Sequence, residues 1–194
     1  MTKPAPTVVI AFHSGYGHTT VLADAVMRGA RHAGAQSELL DVSAINDKGW
    51  QQLKSANAIV FGSPTYMGSV SGPFKVFADE TAKVWFTQGW KDKIAGGFTC
   101  SMSMSGDKFS TLTYLVTLAM QHGMIWVGTA MMPSAEPGDP DAKNRLGSYL
   151  GVMAQADNSP PEESPPQGDI DTAFSYGERI ARVAQMTGLS GEAG

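Results

Sequence analysis

The amino-acid sequence predicts an α/β fold: a five-stranded parallel sheet in the order 2-1-3-4-5, with helices on both faces. Three observations point there. Apolar runs rich in β-branched residues alternate with stretches of helical periodicity along the chain, as in βαβ units joined by right-handed crossovers. The runs are apolar at consecutive positions, which suits strands buried on both faces. The length of 194 residues suits one domain spanning residues 1–194.

Each element follows in order. Thr7-Val8-Val9-Ile10-Ala11-Phe12 is the first strand, with Gly15 and Gly17 just beyond it. Leu22, Ala23, Val26, Met27 and Ala30 then recur at helical spacing as far as Gly34. Residues 38–42 form a weaker strand and residues 51–56 a short helix. Residues 58–62 are a third strand, cut off by Ser63-Pro64. Gly72-Pro73 opens a helix, the proline standing where its missing N–H costs nothing. Phe74, Phe77, Ala78, Thr81, Val84 and Trp85 share one face of that helix. Residues 94–100 are the fourth strand, residues 108–121 a helix, and residues 124–128 the fifth strand. Ala173, Tyr176, Ile180, Ala184 and Thr187 make a last helix that ends at Gly188, leaving residues 188–194 as a tail. Residues 129–169 are rich in proline and have little periodicity. They read as a long irregular loop, with residues 158–167 its most mobile part.

Composition excludes several function classes. The 14 basic and 18 acidic residues give a net charge of −4, so the basic excess of a nucleic-acid-binding chain is missing. Cys100 is the single cysteine. It rules out an internal disulfide framework or a multi-cysteine metal site and reads as a small buried hydrophobe. No run reaches the roughly 18 apolar residues of a membrane span, and the N-terminus lacks a signal-peptide core. A cytoplasmic protein is therefore expected. Asp139, Asp141 and Asn144 miss the calcium-loop spacing and read as a solvated loop, so no metal is expected. Hydrolase motifs built on Gly-x-Ser-x-Gly or His-Glu-x-x-His are absent.

In open α/β sheets, ligands bind beyond the carboxyl ends of the strands. Three such ends carry unusual sequences. The first, Ser14-Gly15-Tyr16-Gly17-His18-Thr19-Thr20, fits neither the Walker A nor the dinucleotide glycine pattern and contains no Lys or Arg. It offers hydroxyls and backbone amides at a helix start. It reads either as a cradle for a phosphomonoester or as a hydroxyl-rich helix cap. The second, Pro64-Thr65-Tyr66-Met67-Gly68, brings an aromatic and a thioether that suit a flat heteroaromatic ring, or a hydrophobic staple on the next helix. The third, Met102-Ser103-Met104-Ser105-Gly106-Asp107, places methionines at a strand end, either for a ligand or as irregular packing.

In this order the loops resemble those of the flavodoxin-like flavoproteins, and among them the WrbA-like NAD(P)H:quinone oxidoreductases. The carriers are Ser14-x-Tyr16-Gly17-His18, Pro64-Thr65-x-x-Gly68-x-x-Ser71-Gly72 and Leu118-Ala119-x-x-His122-Gly123-Met124, with Gly147 and Gly177-Glu178-Arg179 further along. The resemblance implies a flavodoxin-like fold, FMN as cofactor and NAD(P)H as co-substrate. It implies that Ser14, Gly15, Tyr16, Gly17, His18 and Thr19 hold the FMN phosphate. Pro64, Thr65, Tyr66, Met67 and Gly68 would lie against the ring, and residues 102–107 along its other edge. His122 matches a histidine next to the flavin, Trp85 a tryptophan over the substrate cavity, and Tyr16 a tyrosine on the nicotinamide side. Three departures stand out. The third loop of the family is glycine-rich where this one carries Met102 and Met104. The segment between the second and third strands is shorter. An arginine usual in the second loop is Tyr66 here.

The function expected from this reading is hydride transfer from NAD(P)H to FMN and delivery of two electrons to a quinone or similar acceptor. A flavodoxin-type electron carrier, or a flavin reductase without quinone specificity, is the alternative. His122 stands at the end of a helix that begins near the flavin edge, roughly 22 Å away at 1.5 Å per residue. It is therefore expected to act on a neighbouring subunit's flavin, which requires a homo-oligomer, dimer or tetramer. Trp85 reads from its own helix as core packing and from the resemblance as a substrate-side residue.

Overall fold

The computed structural model describes residues 4–136 and 138–187; the tail at 188–194 and the helix stop at Gly188 lie outside them. Strands β1 (Thr7–Phe12), β2 (Gln36–Asp41), β3 (Ala58–Tyr66), β5 (Ile94–Ser101) and β6 (Ile125–Trp126) lie in the order β2-β1-β3-β5-β6, all parallel. This is the expected 2-1-3-4-5 order, the fourth sequence strand being β5. The helices are α1 (His18–His32), α2 (Asp47–Ser55), α3 (Gly72–Glu80), α4 (Ala82–Phe86), α5 (Lys108–Gln121) and α6 (Gln167–Thr187).

The consecutive apolar runs have the cause inferred for them. Along β1, Val8, Ile10 and Phe12 face one core and Val9 and Ala11 the other, because side chains alternate across a strand. One layer is α1 with α6, the other α2, α3 and α5. In the first layer the helices approach closely at two glycines. A Cβ on Gly29 would run into the Phe174 carbonyl, and one on Gly177 into that of Val26. Tyr176, fully buried, sits over Gly96 of β5, where a side chain would leave its hydroxyl no room. Its hydroxyl donates to the Val127 carbonyl at 2.5 Å and accepts from Gly97 N at 3.1 Å.

Three expectations change. Ser63-Pro64 does not end the third strand, because β3 runs on to Tyr66 and turns back through Met67-Gly68 into β4 (Ser69–Val70), a hairpin. Both turn residues have positive φ, 48° and 79°, the pattern of a type I′ turn. The helix opened by Gly72-Pro73 breaks at Thr81, so Trp85 belongs to α4 and is 45% exposed instead of core. And residues 129–169 are not irregular throughout. Strand β7 (Val152–Gln155) pairs parallel with Phe98–Ser101, while β6 pairs with Ile94 and Ala95. The fifth sheet position is thus filled by two short strands, with the intervening chain looping out and returning. Thr129 N bonds the Tyr149 carbonyl where the two legs of that excursion meet.

The excursion is pinned from inside. Asn144, expected in solvent, is buried; its side chain donates to the Met131 carbonyl and accepts from Ser148 N, and its amide donates to Thr172 Oγ1. Asp139 and Asp141 remain exposed. Arg145 Nε and Nη2 reach the two oxygens of Asp169 at 2.9 and 3.0 Å, with both side chains buried. Asp169 Oδ2 also accepts from Gln155 N at 2.8 Å, and Arg145 Nη2 donates to Gln155 Oε1. Burial pushes the Asp169 carboxyl up and the Arg145 bonds pull it down.

Removing one partner of a buried pair strands the other. Arg145→Met should therefore cost about 3–5 kcal/mol in denaturant unfolding, and Arg145→Met with Asp169→Leu should recover most of it. A loss below about 1 kcal/mol in the single variant would show that the pair behaves as a surface one.

Candidate functional site

The sequence-predicted residues fall at two places, on opposite edges of the sheet. At the carboxyl edge, a cleft of about 420 Å³ is lined by Tyr16, His18, Thr19, Pro64, Tyr66 and Met102 from the three expected loops. Cys100 and Ser101 of β5 and residues 156–161 complete it.

The first loop is built around Gly17, the residue before α1, at φ 94°, a conformation glycine adopts without cost. A Cβ there would also strike the ring of Pro161, and one on Gly15 the Tyr66 hydroxyl. Helix geometry leaves the first amides of α1 without acceptors inside the helix. Thr20 N and Val21 N turn to the Gly17 carbonyl, and Ser14 Oγ accepts from Gly17 N at 3.1 Å and Thr20 N at 3.3 Å. Ser14 therefore shapes the turn from inside. The amides of His18 and Thr19 are left at the positive end of the helix, which favours an anion. Thr19 Oγ1 is not free for a ligand: it is buried against Cys100 Sγ at 3.3 Å.

In the second loop, Tyr66 packs edge-on against Tyr16 with ring centroids 6.3 Å apart. Burial, then the Cys100 and Tyr16 beside it, push its hydroxyl up, so it stays a neutral donor. Thr65 faces inward, its hydroxyl 2.8 Å from those of both Thr99 and Thr111. Met67 is fully exposed at the hairpin tip, and Gly68 turns beside it; neither lines the cleft.

The third loop turns tightly through Gly106 and Asp107, at φ 52° and 53°. Met102 enters the cleft and Gln155 Nε2 holds its carbonyl at 3.2 Å. Ser103, Met104, Ser105, Gly106 and Asp107 do not line it; Met104 is exposed.

Residues 156–161 form a wall that the sequence does not reveal, since they fall in the expected irregular loop and 158–161 in its expected mobile part. His18 Nε2 lies 2.8 Å from the Ser159 carbonyl, and Asp157 N donates to the buried Ser164 Oγ. The only sequence signal was Pro160-Pro161, which limits the wall's freedom. Cys100 is buried as expected, yet it also forms part of the cleft floor, and burial pushes its thiol up.

His122 and Trp85 lie elsewhere, together. They share a groove of about 370 Å³ with Lys75, Asp79, Tyr114 and Gln121. His122 caps the C-terminal end of α5, and the next strand, β6, pairs with Ile94 and Ala95, the first residues of β5. That is the amino edge, away from the cleft. His122 is 2% exposed, packs at a tilt against Trp90 with ring centroids 4.5 Å apart and bonds Thr81 Oγ1 at 2.9 Å through Nε2. Among the described residues its Nδ1 has no partner.

Burial lowers the His122 imidazole from 6.5 to about 4. Between those values the unfolded chain holds a proton that the folded one lacks, so stability rises with pH across the window and is lost as pH falls through it. The effect is at most about 3 kcal/mol. Urea midpoints at about pH 7 and 4.5 should diverge more for the wild type than for His122→Gln; parallel shifts would contradict this.

Comparison with known proteins adds the lineage. The family model for NADPH-dependent FMN reductases matches residues 8–137. Flavodoxin FldP of Pseudomonas aeruginosa is 40% identical over 92% of this chain and 96% of its own. An NAD(P)H dehydrogenase (quinone) of Archaeoglobus fulgidus is 32% identical over 92% of this chain and 97% of its own. Among solved structures, a flavodoxin, WrbA-like protein from Agrobacterium tumefaciens is 42% identical with a TM-score of 0.74, covering 93% of this chain and 98% of that one. Flavodoxin 1 from Bacillus cereus, at 16% identity and a TM-score of 0.65 over 91% of this chain and 97% of its own, shares the fold. Among the described residues no helix is long and apolar enough to cross a membrane.

Proposed function

The chain belongs to the NADPH-dependent FMN reductase family and is an FMN-dependent oxidoreductase with NAD(P)H as co-substrate; we propose that it passes two electrons on to a quinone or a similar small acceptor. The observation that carries the site assignment is the Gly17 turn. Its backbone admits no Cβ, it contains no Lys or Arg, and it opens at the positive end of α1. That donor set suits the terminal phosphate of FMN.

FMN, when bound, supplies the ring that takes up hydride and gives up electrons. The protein's part is binding, orientation and exclusion of water. The amides of His18 and Thr19 meet the phosphate, and Ser14 holds their turn in shape. Tyr16, Tyr66 and Met102 give the ring apolar surfaces, and Pro160 and Pro161 shield its phosphate side from water. No side-chain nucleophile is required.

His122 and Trp85 serve the acceptor in trans within this reading. Both line one groove at the amino edge, so they reach a flavin only from a neighbouring subunit of a homo-oligomer, a dimer or tetramer. His122 Nδ1 is a buried polar atom there that has no partner among the described residues. A flavodoxin-type electron carrier is the second reading, favoured by the name of the relative from Pseudomonas aeruginosa. Steady NAD(P)H consumption with a quinone supports the enzyme; reduction that stops after one turnover supports the carrier.

Titration of apoprotein should show tight FMN and poor FAD binding, because the turn closes on a terminal phosphate; equal affinities would overturn the site assignment. Ser14→Ala should weaken FMN by roughly 1–3 kcal/mol. His122→Ala should keep FMN and lose quinone turnover roughly 10²-fold. Mixing it with a variant unable to bind flavin should restore part of the activity. Full activity in His122→Ala, or no rescue in the mixture, would refute action in trans.

A further inference from the structure

Two lysines are buried, at opposite kinds of helix end. Lys93 Nζ donates to the carbonyls of Lys54 and Ala56, at 2.8 and 2.5 Å, where α2 ends. A helix C-terminus favours a cation, so Lys93 needs no other explanation. Lys108 is the first residue of α5, at its positive end, and has no exposed surface. Its Nζ donates to the carbonyls of Ser103 at 2.5 Å and Met104 at 3.1 Å, both in the third loop. The charged groups that bear on it are Asp169 and Arg145, and these are paired with each other. Burial lowers the Lys108 ammonium to about 8, which still leaves it charged at neutral pH, so two cations and one carboxylate leave one net positive charge beneath the loop. Cys100 does not offset it, since burial holds its thiol protonated. Burying an unmatched charge at the wrong end of a helix is costly, and such exceptions gather at functional sites.

The same bonds orient the loop. In a planar trans peptide the C=O and the following N–H point in opposite directions. With the Ser103 and Met104 carbonyls drawn to Lys108, the amides of Met104 and Ser105 point away from the ammonium, and the loop whose Met102 lines the cleft is held in one conformation.

We propose that Lys108 is a positioning residue for the flavin: it holds from beneath the loop whose Met102 lines the cleft, and its charge stabilises the negative charge the ring gains on reduction. This rests on the FMN assignment above. Hydride transfer oxidises NAD(P)H to NAD(P)+ and delivers two electrons with one proton, so one negative charge is added to the ring. Lys108 neither gives nor takes a proton in that step; its charge lowers the energy of the product.

The test measures dissociation constants for oxidised and dithionite-reduced FMN, and the midpoint potential, in the wild type, Lys108→Gln, Lys108→Met and Lys108→Arg. Gln and Met should weaken reduced FMN about tenfold more than oxidised FMN, which for a two-electron couple is a midpoint lower by about 30 mV. Arg, which keeps the charge, should hold the wild-type ratio of the two constants. If Met fails to fold, Gln against Arg decides. Equal losses for both forms in the Gln variant would mean a merely structural lysine and overturn the proposal. A wild-type protein that binds neither form of FMN would instead overturn the cofactor site itself, before any substitution is made.

Discussion

The buried pair of Arg145 and Asp169 is the constraint on which the carboxyl edge of the sheet depends. It joins three parts of the chain that sequence order keeps apart: the excursion after β6, the end of β7 and the first turn of α6. Because Asp169 also takes the Gln155 amide, β7 is held beside β5 up to Ser101. The cleft wall at residues 156–161 leaves the sheet from that point. Asn144 ties the far side of the excursion to Met131 and Thr172. A chain segment rich in proline thus becomes a fixed wall through buried polar contacts, with little help from regular backbone pairing.

The opposed edges divide the chemistry. At the carboxyl edge, glycine backbone and a helix start form the cleft proposed for the phosphate, walled by aromatic and thioether side chains. At the amino edge, Trp85 and a desolvated, neutral His122 line an open groove. A single copy of the fold keeps these regions separate, since α5 alone spans roughly 20 Å at 1.5 Å per residue. The third loop lies between these roles in character: methionines outside, a buried ammonium beneath.

Much of this was legible in the sequence where local and tertiary demands agree. The apolar periodicity of residues 108–121 predicts a helix with the bounds it has, and the structure adds tight turns at Gly106-Asp107 and Gly123 on either side. The first loop was legible for the same reason. The hairpin at Met67-Gly68 was not, since methionine is a poor signal for a left-handed turn and Pro64 argued against a continuing strand. Strand β7 is only four residues long, between segments dense in glycine and proline. The inward turn of Thr65 was hidden because its partners, Thr99 and Thr111, come from two other elements. The wall at residues 156–161 was lost in the same way: nothing local says that Ser159 meets His18 or that Pro161 meets Gly17.

The central claim is that the Gly17 turn closes on a phosphate with neutral donors. Phosphorus NMR of the FMN-loaded protein across a pH series tests it most directly. A free phosphomonoester titrates near pH 6. Held by the amides of His18 and Thr19 at the head of α1, the phosphate should remain a dianion, and its resonance should not move between about pH 5 and 8. A resonance that titrates near pH 6, as in free FMN, would place the phosphate in solvent and contradict the account.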